Sequence, residues 1–421
     1  MSIRKRLWKS RKDGTTKQAW VVDYFDQSRK RRLKTFTHKR KAEQFEADTR
    51  IQISKGIHVP ASASVTVTAA GELWLSKARD DDLERTTVEQ YKQHLRLHIE
   101  PFIGAEKLSA VTIPFVTAFR DRLRAGDETL PDHDPRGKAR SAAMVRGVIG
   151  SLGAILADAQ ERGLVVYNAV RERGRVSRRR GTAQQDRHIG NLEIGEDIPT
   201  PEEVRLLLEQ TRDSKRWRPL FMTAVFAGLR ASELRGLRWV DVDLKKGELQ
   251  VRQRADRYNK IGPPKSAAGK RTIPLPPTVL NELREWKLVC PKKEGQLSLV
   301  FPNGSGNVEN GANIVKRGLI PSMVAAGITK PLLDERGTPK RGEDGRLIVK
   351  AKYTGMHCLR HFFASWCINS KEHGGLELPP KDVQVRLGHS SIVMTMDVYG
   401  HLFPRGDDKA KLAAAEKALI G

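Results

Sequence analysis

The sequence predicts a multidomain, mainly α chain with small β-sheets: an α+β domain at 1–58, a helical domain at 64–174, a linker at 175–199, and a mostly helical domain with one small sheet at 200–421. Three observations predict it. A chain of 421 residues is long enough for two or three domains. Strand-like runs are confined to a basic N-terminal stretch and one later hairpin, whereas helical periodicity fills most of the remainder. Polar stretches punctuated by Pro, Ser and Gly separate the blocks.

The first block reads "RLWKSRKDGTTKQAWVVDYFDQSRKRRLKTF", two β-rich runs and a third basic one separated by turn signals at Asp13-Gly14 and Asp26-Gln27-Ser28, and then "THKRKAEQFEADTRIQIS" as one helix. Residues 1–50 hold 16 Lys/Arg against 6 Asp/Glu, a net +10, with Trp8, Trp20, Tyr24 and Phe25 interleaved. Solvated basic tails are poor in aromatics, so this pattern predicts a folded sheet presenting cations to phosphates. After the linker "GIHVPASASVT", four helices follow in "GELWLSKA", "TTVEQYKQHLRLHIEPFIG", "PFVTAFRDRLRAG" and "ARSAAMVRGVIGSLGAILADAQERG". In the second, Val88, Tyr91, Leu95 and Ile99 form the apolar stripe and leave His94, Arg96 and His98 largely outside it. The stretch 174–199 is a polar, Gly-punctuated joint. The last domain then opens at Thr200-Pro201-Glu202-Glu203, with Thr200 as N-cap, Pro201 at the first helical position and Glu203 closing a capping box.

Charge narrows the function. The chain carries 76 Lys plus Arg against 50 Asp plus Glu, formally +26, and a pI near 10.1. A polyanion is the simplest partner. Cys290, Cys358 and Cys367 are odd in number and lack C-x-x-C spacing, which supports neither a disulfide framework nor a thiolate zinc site. The basic start has no apolar core behind it, and no run is expected to approach a membrane span, so the expected compartment is the cytoplasm.

Within 200–401, "GMHCLRHFFASW" reads as a helix with Leu359, Phe362, Phe363 and Trp366 on one face and His357, Arg360 and His361 on another, expected to be exposed. The pattern lacks the glutamate of a zinc-binding H-E-x-x-H, and its arginine would repel a metal. Arginine grips phosphate oxygens and histidine moves protons near neutral pH, so the pair fits phosphoryl transfer. In "FAGLRASELRGLRWVDVDL", Arg230 follows Gly228 at a bend with Glu233 one turn on; alone it reads as a surface salt bridge. "ELQVRQR" and "KRTIPL" flank a hairpin that holds Lys265, and Lys270 stands on the far side of "SAAG"; the "GKR" there lacks P-loop spacing.

Taken together, G-L-R-x-x-E-L, a hairpin lysine, H-x-L-R-H, L-G-H-S and the tyrosine of "MDVYGH" resemble the tyrosine recombinase (phage integrase) family, with the segments in matching order. The resemblance extends to the helical block, similar to a SAM-like core-binding domain, and to the basic N-terminal sheet, similar to the arm-binding domain of phage-type integrases. Carried over, it implies catalytic residues Arg230, Lys265, His357, Arg360, His389 and Tyr399, with Tyr399 as nucleophile. Arg230 and Arg360 would hold the scissile phosphate, His357 would assist proton transfer at Tyr399, His389 would hydrogen-bond the phosphate, and Lys265 would protonate the leaving 5′ oxygen. Glu233 and His361 would support the arginines, and His401 stays open between a cap and a supporting contact. No ATP, cofactor or metal is implied. The implied partners are double-stranded DNA attachment sites, a homotetramer at synapsis, and DNA-bending and directionality proteins. A type IB topoisomerase-like enzyme and a catalytically silent DNA-binding regulator are the competing readings. Residues 329–353 are longer and more charged than a minimal member requires, and the resemblance assigns them no role. The tail "DDKAKLAAAEKALIG" predicts a helix with Leu412, Ala415 and Leu419 on one side.

Overall fold

The computed structural model describes residues 1–9, 15–26, 29–54, 60, 64–126, 130, 134, 136–179, 192–292, 297–334, 337–403 and 409–420. It divides into two units, 1–187 and 188–421. The division falls inside the expected joint at 174–199, of which 180–191 lie outside the described residues, as do the Asp13-Gly14 turn and most of the linker after Gly56.

In the first unit, β1 (Ser2–Lys9), β2 (Thr16–Phe25) and β3 (Arg31–Phe36) form an antiparallel sheet in sequence order, followed by α1 (Lys39–Ser54). Val22, Tyr24 and Ala42 are buried between sheet and helix, with Trp20, Phe36 and Phe45 packed against them. Trp8 and Phe25 instead stay exposed, as do the cations Lys5, Arg6 and Lys9.

The helical block comprises α2 (Val67–Asp80), α3 (Arg85–Gln93), a π-helical segment His94–Ile99, α4 (Glu100–Ile103), α5 (Ile113–Ala125), α6 (Ala142–Glu161) and α7 (Ala169–Arg179). Thr66, Thr112 and Ser141 cap α2, α5 and α6 with side-chain oxygens, satisfying amides that the helices leave unpaired. The sequence placed His94 largely outside the apolar stripe, but it is buried, with Nδ1 2.7 Å from Ser151 Oγ. The π-helical winding from His94 onward changes the angular step per residue and turns this ring inward beside Leu95 and Ile99. Among the described residues α6 is the one helix long and apolar enough to cross a membrane, where the sequence reading expected no such run. Its Val145, Val148, Leu152, Ile155 and Leu156 are core residues of this helical block.

The second unit opens with α8 (Pro201–Gln210), where both capping-box bonds form: Glu203 N to Thr200 Oγ1 at 3.1 Å and Thr200 N to a Glu203 carboxylate oxygen at 2.9 Å. Next come α9 (Trp217–Ala227), α10 (Ala231–Gly236), β4 (Val242–Asp243), β5 (Glu248–Val251), β6 (Arg254–Ala255), β7 (Ile261–Gly262) and β8 (Arg271–Pro274). The expected hairpin is thus two nested pairs: β4, β5 and β8 make one antiparallel sheet, and β6–β7 a second within the β5–β8 connection.

The unit continues through α11 (Pro277–Val289), α12 (Gly311–Asn313), α13 (Ile320–Ala325), β9 (Thr329–Pro331), β10 (Val349–Ala351), α14 (His357–Ile368), α15 (Pro380–Leu387), α16 (Ile392–Tyr399) and α17 (Lys409–Ile420). Within 329–353, the β9–β10 pair is extended by the bridges Leu333–Pro339 and Arg341–Leu347. One core spans Phe221, Leu249, Ile273, Leu283, Val300 and Leu359. A second, around Phe363, Val383, Leu387 and Tyr399, locks α14, α15 and α16 together. In α17, Leu412 and Leu419 are exposed; the side chain of Ala415 lies outside the described residues.

Candidate active site

Two helix ends and one strand converge around Arg230. α9 stops at Gly228, whose φ of 57° is left-handed, and an added Cβ there would run into the Phe363 ring. Arg230 then caps α10: its N–H donates to Glu233 Oε2 at 3.0 Å and its Nη1 to Glu233 Oε1 at 2.8 Å. The salt bridge that the sequence offers as the plain reading of Arg230 therefore exists. It coexists with a contact 158 residues away, Nη2 to the Gly388 carbonyl at 3.1 Å.

Glu233 is buried and accepts a second guanidinium, Arg271 Nη2, at 2.9 Å. Burial alone would raise its carboxyl, but the Arg271 ion pair, and then Arg230, hold it below the ordinary value. Sequence reasoning did not single out Arg271. The available signal was alternation in "RTIP", where Arg271 and Ile273 are buried while Thr272 and Pro274 are exposed.

Arg360 corrects an expectation. Expected on an exposed helical face, it is 2% exposed, with Nη1 donating to the Gly228 carbonyl at 2.6 Å and Nη2 to the Leu387 carbonyl at 2.5 Å. The ends of α9 and α15 cover this face of α14, so carbonyl oxygens replace water around the cation. Burial, and secondarily the charge of Arg230, push it down to about 9, which leaves it cationic at neutral pH.

Tyr399 is the last residue of α16 and is 2% exposed. Its hydroxyl is pushed up to about 12 by burial, against the lowering influence of Arg360 and Arg230. It lies 2.7 Å from His361 Nδ1. Burial, then the charges of His357 and Arg360, push His361 down to about 4, so the ring is neutral at pH 7, and in the tautomer that carries its proton on Nε2 the Nδ1 accepts from the hydroxyl. Sequence reasoning assigned proton transfer to His357 and mere support to His361; here the ring in contact with the hydroxyl is His361. Four helical residues apart, the two histidines share a face, and His357 packs edge-on against His361 with centroids 4.5 Å apart. His357 is lowered by burial and then by Arg360 and Arg230.

His389 follows the left-handed Gly388 that ends α15. Its Nδ1 is 3.0 Å from Thr395 Oγ1, and its ring lies parallel to Tyr399 with centroids 6.3 Å apart. Burial, then Arg360, push it down to about 4. Arg230, Glu233, His357, Arg360, His361, His389 and Tyr399 are thus brought together. No contact joins Lys265 to them: it is exposed in the loop between β7 and β8, with no hydrogen bond or ion pair among the described residues. His401, left open by the sequence, bonds through Nε2 to the Leu192 carbonyl at 2.8 Å, tying the chain after Tyr399 to the start of the unit.

Residues 199–405 match the family model described as "Phage integrase family". The prophage integrase IntR of Escherichia coli K12 is 24% identical over 332 residues, covering 78% of this chain and 74% of the relative. The tyrosine recombinase XerC of Xylella fastidiosa 9a5c is 30% identical over 218 residues, 52% of this chain and 54% of its own length. Among solved structures, a Tn1549 transposon integrase fragment in complex with transposon right end DNA is similar, with a TM-score of 0.59 at 16% identity over 85% of this chain and 100% of that one. A lambda integrase tetramer bound to a Holliday junction gives 0.51 at 17% identity over 93% and 94%. The domain match covers every element that supplies the clustered residues, and the order of arginine, hairpin lysine, histidine–arginine helix and helix-end tyrosine runs through it: the domain at 199–405 belongs to the tyrosine recombinase (phage integrase) family.

Proposed function

We propose that this chain is a site-specific DNA recombinase that cuts and rejoins strands through a 3′-phosphotyrosyl link and moves a mobile element in or out of a larger DNA. The observation that carries the reading is the Tyr399 hydroxyl, buried, bonded to a neutral histidine, and within the field of two arginines.

Arg230 and Arg360 are assigned to the non-bridging oxygens of the scissile phosphate, where fixed guanidinium donors stabilise the charge that develops in the transition state. The Tyr399 oxygen attacks phosphorus while its proton passes to His361. The bond from phosphorus to the 5′ oxygen breaks, and Lys265, free in its loop to approach DNA, supplies the proton that completes the 5′ hydroxyl. His357 and His389, both held neutral by burial and by neighbouring arginines, are assigned to hydrogen bonds with the phosphate. The new ester keeps the reactivity of the old phosphodiester, so the 5′ hydroxyl of a second strand reverses the step without an external energy source.

Residues 1–58 are assigned to separate DNA sites by their exposed cations, and 64–174 to the core site. A homotetramer would bring two duplexes together, in line with the tetrameric form of lambda integrase on a Holliday junction. The decisive experiment is Tyr399→Phe on a nicked suicide duplex. Its ring still fills the pocket formed with Phe363, Val383 and Leu387, so DNA binding should persist while the covalent adduct disappears. An adduct that survives in the variant would reject Tyr399 as nucleophile.

A further inference from the structure

The site contains one buried carboxylate, and its partners pose a problem. Glu233 shares its oxygens with Arg230 at 2.8 Å and Arg271 at 2.9 Å. Were Arg230 its sole cation, a fully buried carboxylate would cancel the charge that Arg230 offers to a phosphate. Side-chain exposures separate the two arginines: 28% for Arg230 and 3% for Arg271. One cation is committed to the interior and the other still faces outward.

Arg271 also closes a ring of contacts. Its Nε donates to the Arg386 carbonyl at 2.7 Å and its Nη1 to the Gly269 carbonyl at 3.0 Å. The first bond holds the end of α15 just before Gly388, whose carbonyl accepts Arg230 Nη2 at 3.1 Å. The second holds the short turn Ala267–Gly269, which lies between Lys265 and Lys270. Gly388 is pressed against this guanidinium: an added Cβ would sit 2.9 Å from Arg271 Nη1 and 3.0 Å from the Ala268 carbonyl oxygen, at a φ of 64°. One buried side chain therefore joins the start of α10, the lysine-bearing loop and the turn that carries His389.

We propose that Arg271 is a positioning residue for strand cleavage, which acts as the counter-ion of Glu233 and so leaves the positive charge of Arg230 available to the scissile phosphate. It does not touch DNA itself. The inference rests on the assignment of Arg230 to the phosphate, made above.

The test uses the full-length protein and two suicide substrates, one with a normal scissile phosphate and one with a neutral methylphosphonate there, which has no charge for Arg230 to meet. Single-turnover cleavage and DNA affinity are measured for R271M, R271K, E233Q, E233Q/R271M and R230A. R271M should cleave the normal substrate about 10²-fold more slowly, the scale of losing one preorganised charge donor, with DNA affinity within about threefold. On the methylphosphonate most of that deficit should vanish, as it should for R230A, and R271K should recover part of the normal rate. Adding R271M to E233Q, where no carboxylate competes for Arg230, should shift the ratio of the two substrates by less than about threefold. This comparison also serves if R271M alone does not fold, because the double variant leaves no unpaired buried charge. Equal losses on both substrates, or a tenfold shift in the E233Q background, would overturn the role of Arg271 while leaving Arg230 in place. If R230A is not relieved by the methylphosphonate, the phosphate assignment itself falls, and the inference with it.

Discussion

Replacing His361 with Phe should slow formation of the protein–DNA adduct by about 10²–10⁴-fold, the usual worth of a positioned general base, and His357→Phe should cost less. The structure sets the scale. Tyr399 stands at about 12 and His361 at about 4, a gap of 8 units. At 1.36 kcal/mol per unit, full transfer of the proton before attack would cost about 11 kcal/mol. A free tyrosinate is therefore not the resting nucleophile, and the proton must leave as the oxygen–phosphorus bond forms, which is where a hydrogen-bonded base helps. The assay is single-turnover cleavage of a nicked duplex, read as detergent-resistant adduct against pH. Because the folded value of His361 is depressed, protonation removes the base only as pH falls toward 4. Stability carries the same sign: the unfolded ring binds a proton near 6.5, so the stability present above 6.5 is lost as pH falls through 4. If His361→Phe stays within about threefold of the parent while His357→Phe loses the adduct, the base is His357 and the argument from the 2.7 Å contact fails.

The leaving-group proton can be assigned with a 5′-bridging sulfur, which departs without one because a thiolate is a better leaving group than an alkoxide. Lys265→Ala should be severely slow on normal DNA and largely restored on the sulfur substrate, whereas Lys270→Ala should show a smaller defect with no selective rescue; rescue that follows Lys270 would move the role across the 267–269 turn. Deleting residues 1–58 should abolish recombination at long attachment sites but leave cleavage of a short core site. The full chain should also show the steeper loss of affinity with salt, since each phosphate contact by Lys or Arg releases counterions; identical salt slopes would reject a DNA-reading role for this sheet.

Much of this architecture was legible because local rules suffice for it. The capping box at Thr200 and Glu203 forms as the spacing implies, and the stripe Leu359, Phe362 and Phe363 is buried. What was not legible depends on other elements arriving. Periodicity could separate Arg360 from that stripe but could not reveal that the ends of α9 and α15 would bury it. Two histidines four residues apart look equivalent on a helix, and only the placement of α16 distinguishes the ring that meets Tyr399. His94 escaped because a π-helical segment breaks the 3.6-residue step on which a stripe is drawn. Arg271 escaped because a charged residue in an inward strand position looks like an error in the pattern until Glu233 stands opposite it.

The way the buried cations are satisfied bears on the chemistry. Arg360 could have been neutralised by a carboxylate, the usual company of a buried charge. Its guanidinium instead donates to two carbonyls, those of Gly228 and Leu387, each at the C-terminal end of a helix, where unpaired carbonyls concentrate partial negative charge. Carbonyl dipoles can offset the loss of water around a guanidinium without cancelling its unit charge. The one buried carboxylate in contact with these groups, Glu233, is balanced by Arg271. Arg230 and Arg360 together thus keep a net positive field directed at Tyr399, and both lower the value of its hydroxyl. A phosphodiester is an anion of the right charge to meet that field, and there it would sit beside the oxygen proposed to attack it.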